Sequence, residues 1–537
     1  MDEGPQFRAL FHEELAALDH TIESGVRRGE LAAGTDDPDV RRLIEAMAFF
    51  SARTRASASA AMRASIIRLA GGLLDELFAP MPAAALLQAD GWGLLDAPIE
   101  LPEGTQMRVE TYDGRASIFS TRGPLPVRPI RIQKAELARS ARGAELRVHL
   151  AARVPQKGQI ELPFFVRRHG DYNAGAELHE ELRRHFLRAV ATKDDGIDRA
   201  CDVSFEAPAP ARPWDSGEGG SPIDRIRSFF HAPEQALLFR VSVPAEGPAP
   251  ERMTLTISLG ASFPEQLSVT ADTFALFVVP MQNAWSDLAE PISVDGTSDA
   301  RQVRLLHSAL EGVEPVTVRG IYRPVQKVLT PVPPRSLSGE EGDSYEVLFP
   351  EDGSVMVRVS SPDAVTAPWI AQVDAVWSQP SLWQNARGPL TVRPQRKKAL
   401  DGLSLRVLGN VRPPLPSPLA LSPEKGLDVL ALKQKPTLEA RDLRALLTLF
   451  GASGASPFAR FPGRIAGLTA SFAPDPIGAR GPRKRVYRVE MQRPAAGEEA
   501  LAPWFHRQVS ALLDAWSPEP ADVETTSPRA GDQEISP

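Results

Sequence analysis

The chain of 537 residues has a single cysteine, Cys201, and no long apolar run. One thiol forms neither an internal disulfide nor a multi-thiolate metal site. The longest segment without a charged residue, Ala445–Ala459, is interrupted by glycine, serine and proline, whereas a membrane-spanning helix needs about 20 largely apolar residues. The N-terminus is acidic and polar and lacks a basic segment followed by an apolar one, which predicts no secretory signal. We therefore expect a cytoplasmic protein without a membrane span.

A strong charge of one sign is also lacking, since 61 basic and 68 acidic side chains give a net charge of -7. Nucleic-acid binders need a concentrated positive field that releases counterions from phosphates, so the chain is predicted not to bind nucleic acid. Two local basic clusters, at 393–398 and 480–485, are predicted to be solvated loops.

Catalytic and metal-binding motifs are missing as well. His179 and His185 are six residues apart, which places them about 240° apart around a helix, whereas a zinc helix needs histidines four apart. No nucleophile elbow, phosphate-binding loop or dinucleotide fingerprint is present, and the glycines at 217–220 are predicted to lie in a linker. Carboxylate pairs cannot be recognised in a sequence because their pairing is spatial. The chain is predicted to be no enzyme, with no metal and no cofactor; a β-sandwich hydrolase and a monomeric binding module stay open as alternatives.

Proline is abundant, with 50 residues spread through the chain. Because proline breaks helices and is excluded from central strands, this favours many short strands joined by rigid loops. We predict an α+β, multi-domain fold in which a helical N-terminal region precedes several β-rich, sandwich- or barrel-like domains. The predicted segments are a helical region (1–82), a β-rich domain with one helix (83–206), a linker or exposed loop (207–222), a β-rich domain (223–330), a β-rich region with late helices (331–516) and a disordered acidic tail (517–537).

Helical periodicity dominates the first eighty residues. A first helix carries apolar residues from Phe7 to Ile22 at helical spacing. A second helix is predicted to start at Asp37, which can cap it, with Pro38 in the first helical position. A third is predicted to run to about Phe78 and to end before Pro80 and Pro82.

Beyond residue 82 the apolar period changes to two, which predicts strands. Later helices are predicted at Ala176–Ala191, Ile223–His231, Glu439–Phe450 and Pro503–Trp516. The strands are predicted at Thr105–Thr111, Ser117–Thr121, Val127–Ile132, Leu146–Leu150, Ile160–Val166, Ala236–Val243, Met253–Leu259, Phe274–Val279, Val313–Val318, Tyr345–Phe349, Val355–Val359 and Leu403–Leu408.

Five apolar residues are candidates for a partner interface. Val40, Leu43, Met47 and Phe50 recur at steps of three and four and form one face of the second helix. Trp285 stands in a turn-rich segment, where a tryptophan can anchor an interface. Packing inside the subunit is the default role for the helix face, and core packing is the default role for a tryptophan in such surroundings.

The order of several segments resembles the TssF (ImpG/VasA) family of type VI secretion baseplate subunits. The N-terminal match covers Glu14, Leu15 and Leu18, the Asp37-Pro38-x-Val40-x-Arg42-Leu43-x-Glu45 segment with Ala48 and Phe49, and Leu73-Leu74 with Pro80 and Pro82. Further matches follow in order: LPEGTQMRV with SIFST, LPFFVRRHGDYNAGAELHEELRRH, IRSFFHAPEQALLFRV, and FALFVVPMQNAWSDLAEPI with Pro280, Asn283, Glu290, Pro291 and Ile292. The likeness weakens after about residue 320.

The resemblance implies a structural wedge subunit that scaffolds a contractile tail from a cytoplasmic, membrane-docked baseplate. The partners it implies are a TssG-like subunit, a second copy of the chain, TssE- and TssK-like subunits and the spike. A baseplate component of a contractile phage tail or of an extracellular injection particle is the alternative function.

Overall fold

The chain begins with helices, and further helices are concentrated near its end. A computed structural model describes residues 5–526 except 29–36, 74, 94, 141–142, 207–220, 248, 298, 307–309, 327, 336, 338–341, 351–353, 385–387, 396–401, 422–423 and 473–484. The helices in this part of the chain are α1 (Pro5–Arg27), α2 (Pro38–Leu73), α3 (Asp75–Phe78), α4 (Tyr172–His185), α5 (Pro222–His231), α6 (Pro380–Gln384), α7 (Pro418–Leu421), α8 (Glu424–Gln434), α9 (Ala440–Leu449) and α10 (Ala502–Trp516).

Short strands make up most of the remainder, as the proline content predicts. They are β1 (Ala84–Asp90), β2 (Ile99–Leu101), β3 (Gln106–Thr111), β4 (Ala116–Thr121), β5 (Leu125–Val127), β6 (Ile130–Ser140), β7 (Gly143–Ala152), β8 (Ile160–Val166), β9 (Phe186–Thr192), β10 (Asp198–Ser204), β11 (Leu238–Val243), β12 (Arg252–Leu259), β13 (Phe274–Leu276), β14 (Val278–Gln282), β15 (Trp285–Leu288), β16 (Ile292–Val294), β17 (Arg301–Gln302), β18 (Glu314–Val325), β19 (Val328–Val332), β20 (Ser344–Leu348), β21 (Met356–Ser360), β22 (Trp369–Ser378), β23 (Leu390–Pro394), β24 (Ser404–Arg412), β25 (Ile465–Phe472), β26 (Arg485–Met491) and β27 (Ala521–Thr526).

The strands form two large sheets and several small ones. One large sheet has the order β23-β3-β4-β14-β1-β24, and its two end strands also contact each other, which makes it barrel-like. The other has the order β13-β8-β11-β10-β9-β12-β7-β6. A five-stranded sheet combines β15, β22, β18, β19 and β16. Pairing is antiparallel in these sheets and parallel between β26 and β27.

Two hydrophobic cores hold these layers together. The first lies between the large sheets and the helices α4, α5, α9 and α10, and includes Phe164, Phe230 and Phe505. The second lies around the five-stranded sheet and includes Ile321 and Trp377. The fold is α+β and multi-domain, with a helical N-terminal region followed by β-rich units, as the sequence predicts.

One predicted helix boundary is wrong: the predicted second and third helices are largely one helix, α2, of 36 residues. Its middle is rich in alanine and arginine and has no proline or glycine between Asp39 and Ala70, so nothing interrupts the helix there. The strands predicted at 105–111, 117–121 and 160–166 are confirmed as β3, β4 and β8.

The helix predicted at Ala176–Ala191 is displaced. Asp171 caps α4 by accepting hydrogen bonds from the backbone amides of Asn173 and Ala174, so the helix begins before the predicted start. It ends at His185, and the next residues form β9, which pairs with β10 on one side and β12 on the other. The hydrogen bonds on both edges of β9 outweigh the apolar periodicity of four residues on which the prediction of a longer helix rests.

The acidic tail predicted to be disordered contains a strand. Residues 521–526 form β27 beside β26, and residues 527–537 lie outside the described part of the chain. The predicted linker at 207–222 also falls outside it, apart from the start of α5. The domain boundaries stay predictions; the barrel-like sheet takes strands from three of the predicted segments.

Candidate assembly surface

The candidate surface is carried by α2, which begins where the sequence predicts. The Oδ1 of Asp37 accepts a hydrogen bond of 2.9 Å from the backbone amide of Asp39, and Pro38 occupies the first helical position. Both features fix the first turn, because the capping oxygen satisfies a free amide and proline needs no hydrogen bond there. The phase of every later side chain on α2 follows from this start.

One side of α2 packs against α1 in an antiparallel hairpin. Ile44, Ala48 and Ala52 are buried at spacings of four residues, and the small side chains of the two alanines allow close approach of the two helices. The rings of Phe7 and Phe49 meet edge to face, with centroids 5.5 Å apart. This side of the helix therefore has its partner within the chain.

Polar contacts fix the register of the hairpin. Arg41 reaches Asp19 at 2.9 Å, and Arg55 reaches Glu14 at 3.0 Å and Glu13 at 3.1 Å. The pKa of Glu14 lies below its ordinary value, mainly because its carboxylate accepts a hydrogen bond from Ser51 and, as the next largest cause, one from Arg55. These pairs are exposed, so they align the helices more than they stabilise them.

A second face of α2, beside the buried one, is apolar and has no cover. Val40, Leu43, Met47 and Phe50 are 39%, 62%, 54% and 65% exposed. At 100° per residue they span about 80° of the helix circumference, so they form one continuous stripe, here called the α2 stripe. Monomers rarely leave large apolar side chains contiguous on the surface, and such patches mark interaction sites.

The hairpin leaves more of α2 uncovered because its helices differ in length. α1 has 23 residues against 36 in α2, about 34 Å against 54 Å. α2 also contacts α8, but its second half exposes Met62 and Leu69. Neither residue is among the interface candidates predicted from the sequence, all of which on α2 lie between Val40 and Phe50.

Trp285 does not belong to the candidate surface. Its side chain is 2% exposed and lies in the second core, where Trp285 pairs with Trp377 across β15 and β22. A ring buried in this way has no area left for a partner, so the interface assignment is corrected to the alternative of core packing. Its turn-rich surroundings favour exposure, whereas the residue that pairs with it, Trp377, follows 92 residues later in the chain.

The histidines and carboxylates of α4 serve packing. His179 is buried, and its Nε2 lies 3.3 Å from the carbonyl oxygen of Leu238; burial lowers the pKa of His179 to about 4. His185 instead contacts Glu181 at 3.0 Å. Glu180 accepts hydrogen bonds from Arg183 and Arg507, and so ties α4 to α10. Within the described ranges there is no group of three or more side chains that could hold a metal ion.

Among the described helices, none combines the length and the apolar composition that a membrane span requires. A family model described as "Type VI secretion system, TssF" matches residues 26–379. No curated protein matches the chain significantly.

Two solved structures have a similar fold. A chain of the type VI secretion TssK-TssF-TssG baseplate subcomplex, determined by cryo-electron microscopy, superposes with a TM-score of 0.69 at 15% sequence identity, over 91% of this chain and 96% of that chain. A chain of the baseplate complex from the type VI secretion system superposes with a TM-score of 0.58 at 14% identity, over 96% and 97%.

Proposed function

The chain belongs to the TssF family of the type VI secretion system and is a structural subunit of the baseplate, and we propose that it joins its neighbours through the α2 stripe. The family match covers residues 26–379, which include all of α2. The observation that carries the proposal is the stripe itself, four large apolar side chains on a helix whose other apolar side is already buried against α1. Interfaces of permanent assemblies are large and apolar, and an amphipathic helix face is a common contribution to them.

The partner proposed for the stripe is an apolar helix of a TssG-like subunit. The similar cryo-electron microscopy structure is of a subcomplex of TssK, TssF and TssG, which supports TssG- and TssK-like partners here. A second copy of the chain, a TssE-like subunit and the spike complete the proposed assembly, which docks at the cytoplasmic side of a membrane. In this role the chain needs no reactive group, and we propose that it is not an enzyme.

Placing charges in the stripe tests the proposal. The double variant Leu43→Glu and Phe50→Glu puts two carboxylates where the partner helix packs, while both side chains point away from α1 and from the cores. We expect the variant to keep the melting temperature of the parent chain and to lose copurification with a coexpressed TssG-like subunit, because burying an unpaired carboxylate is costly.

Arg53→Glu is the matched control. Arg53 is exposed on α2 about 100° round the helix from the centre of the stripe, so it changes charge without entering the interface. We expect this variant to copurify with the TssG-like subunit as the parent chain does. Retention of the partner by the stripe variant, with the fold intact, contradicts the proposal.

A further inference from the structure

The α2 stripe has the residue spacing of a coiled coil. Its members Val40, Leu43, Met47 and Phe50 follow one another at steps of three, four and three residues, which are the alternating a and d positions of a heptad repeat. A helix with this repeat packs its a and d side chains against a second helix that has the same repeat. A second copy of the chain supplies such a helix, and it presents an identical stripe.

The residues beside the stripe carry opposite charges at its two ends. Asp39 and Arg53 both occupy the g position of the repeat, and Ala46 occupies the g position between them. Arg53 is exposed and has no carboxylate partner among the described residues. The side chain of Asp39 is 87% exposed and reaches Arg42 at 3.5 Å, a contact too exposed to hold it in place. One flank of the stripe thus has a negative end and a positive end, with an uncharged residue midway.

Two copies of this surface fit together when the helices run antiparallel. A two-fold axis beside Ala46 then places Val40 opposite Phe50 of the second copy and Leu43 opposite its Met47, so that large apolar side chains meet along the whole stripe. The stripe extends over about three turns, and each contact occurs twice because a two-fold interface uses the same patch on both copies. The apolar residues of the α2 stripe are therefore self-complementary.

The antiparallel direction also pairs the charges. It brings the same flank of both helices together, so Asp39 of each copy lies beside Arg53 of the other, and the two Ala46 residues meet at the axis without opposing charges. In a parallel pair the g positions face the e positions, which on α2 are Ile44 and Ser51. Both lie on the side that α1 covers, where Ile44 is buried and the hydroxyl of Ser51 donates a hydrogen bond to α1. Charge complementarity thus selects the antiparallel pair.

We propose that two free copies of the chain pair antiparallel through their α2 stripes until a TssG-like subunit takes the same face. The inference rests on the proposed function, because it describes what covers the stripe before assembly. Leu73, where α2 ends, lies about 40 Å along the helix from the axis, so the remainders of the two copies leave the pair at opposite ends.

The pair is weak because its contact is small. Four apolar side chains and two charged ones on each copy are far fewer than the roughly 20 to 30 residues that each side of a standard interface contributes. We therefore expect a dissociation constant on the order of 10 µM. At lower concentrations the stripe is free, and a partner that binds it more tightly replaces the second copy.

Charge exchange tests the pair, with the oligomeric state of the full chain measured by sedimentation equilibrium between about 1 and 200 µM. We expect Arg53→Glu and Asp39→Arg each to raise the dissociation constant about 10-fold, because like charges then face each other at both ends of the stripe. The chain that combines the two substitutions has opposite charges there again and should pair within about 3-fold of the parent chain. Arg42→Glu, at an exposed position turned away from the stripe, is the matched control and should leave the dissociation constant unchanged.

A parent chain that is monomeric at the highest concentration overturns the proposal, and so does a combined variant that fails to regain the pairing lost in the single variants. Pairing that survives Leu43→Glu with Phe50→Glu shows that the second copy binds elsewhere, and overturns it as well. The charge variants leave the stripe itself intact, so Arg53→Glu should still copurify with a coexpressed TssG-like subunit. Failure of the charge exchange therefore leaves the contact with that subunit untouched, and a stripe that binds no such subunit can still pair with itself.

Discussion

Asn283 connects the two hydrophobic cores through a fully paired polar network. Its Nδ2 donates to the hydroxyl of Ser117 at 2.7 Å and to the carbonyl of Ile118 at 2.8 Å. Its Oδ1 accepts from the hydroxyl of Ser378 at 3.0 Å and from the backbone amide of Gln379 at 2.7 Å. Because both donors and both acceptor positions of the amide are used, the side chain holds β4 of one sheet against β22 of another in a single geometry.

Replacing Asn283 should loosen this junction. Asn283→Leu keeps the volume but removes the hydrogen-bond partner of the Ser378 hydroxyl and of the Gln379 amide in a buried site, which costs about 3 kcal/mol. We expect hydrogen exchange of the Gln379 amide to accelerate at least 10-fold. Asn173→Ala, whose side chain makes only a weak contact at the surface of α4, is the control and should leave that amide protected. An unchanged exchange rate in Asn283→Leu would mean that packing alone fixes the junction.

Two buried histidines predict how stability depends on pH. Burial lowers the pKa of both His179 and His231 to about 4, and each imidazole faces a backbone carbonyl, of Leu238 and Pro82. Their pKa in the unfolded chain is about 6.5, so between these values the unfolded state binds protons that the folded state does not. Stability is therefore complete above pH 6.5 and falls as the pH decreases towards 4, by about 3 kcal/mol for each imidazole.

The variant His179→Gln isolates one of these contributions. We expect its stability to depend less steeply on pH between 6.5 and 4.5 than that of the parent chain, measured by urea unfolding at each pH. His20→Gln changes an exposed histidine of α1 and should keep the parent slope. Carboxylates such as Glu180, whose pKa is lowered, lose their contribution only below about pH 4.5, outside this window. Identical slopes in all three proteins would contradict the assignment.

At the scale of elements, the sequence predicts starts of helices better than their ends. The start of α2 has a capping residue and a proline, two local signals whose meaning does not depend on the rest of the fold. The continuation of α2 through its alanine-rich middle has no such signal, and neither does the change from α4 to β9. β9 is a strand because β10 and β12 flank it, and those partners are set by the tertiary structure.

The strand β27 is a second element that local signals miss. Its sequence, ADVETT, has little apolar surface, yet it forms a parallel pair with β26, in which Val523 stands opposite Tyr487. The backbone amide of Ala521 donates to Asp514 of α10, and Arg488 contacts Glu524 at 3.2 Å. These contacts come from residues 30 or more positions away or from the preceding helix, and they order an acidic segment that composition alone assigns to disorder.

Two truncated chains distinguish the contribution of β27 to stability from that of the residues that follow it. Removal of 521–537 deletes the strand and exposes one edge of β26, so we expect faster hydrogen exchange throughout Arg485–Met491. Removal of 527–537 alone keeps β27 and is the control, for which exchange in β26 should match that of the full chain. Equal protection of β26 in both truncated proteins would show that the pair with β27 contributes nothing to its stability.

At the scale of the whole molecule, the fold class follows from the sequence but the assembly of its sheets does not. Proline content and the change from helical to alternating periodicity predict the helical start and the β-rich remainder. The barrel-like sheet, however, pairs Ala84 with Arg412 and Leu390 with Thr111, contacts between residues hundreds of positions apart. The α2 stripe, in contrast, depends only on the period of one helix, so the sequence alone predicts it.

The central claim is that the uncovered apolar face of α2 is where a neighbouring baseplate subunit binds. Hydrogen exchange of the full chain, alone and in complex with a purified TssG-like subunit, tests it most directly. We predict that amides of residues 38–54 become strongly protected in the complex while those of the solvent-facing strand β19 do not change. A stable complex in which residues 38–54 exchange as fast as in the free chain would contradict the claim.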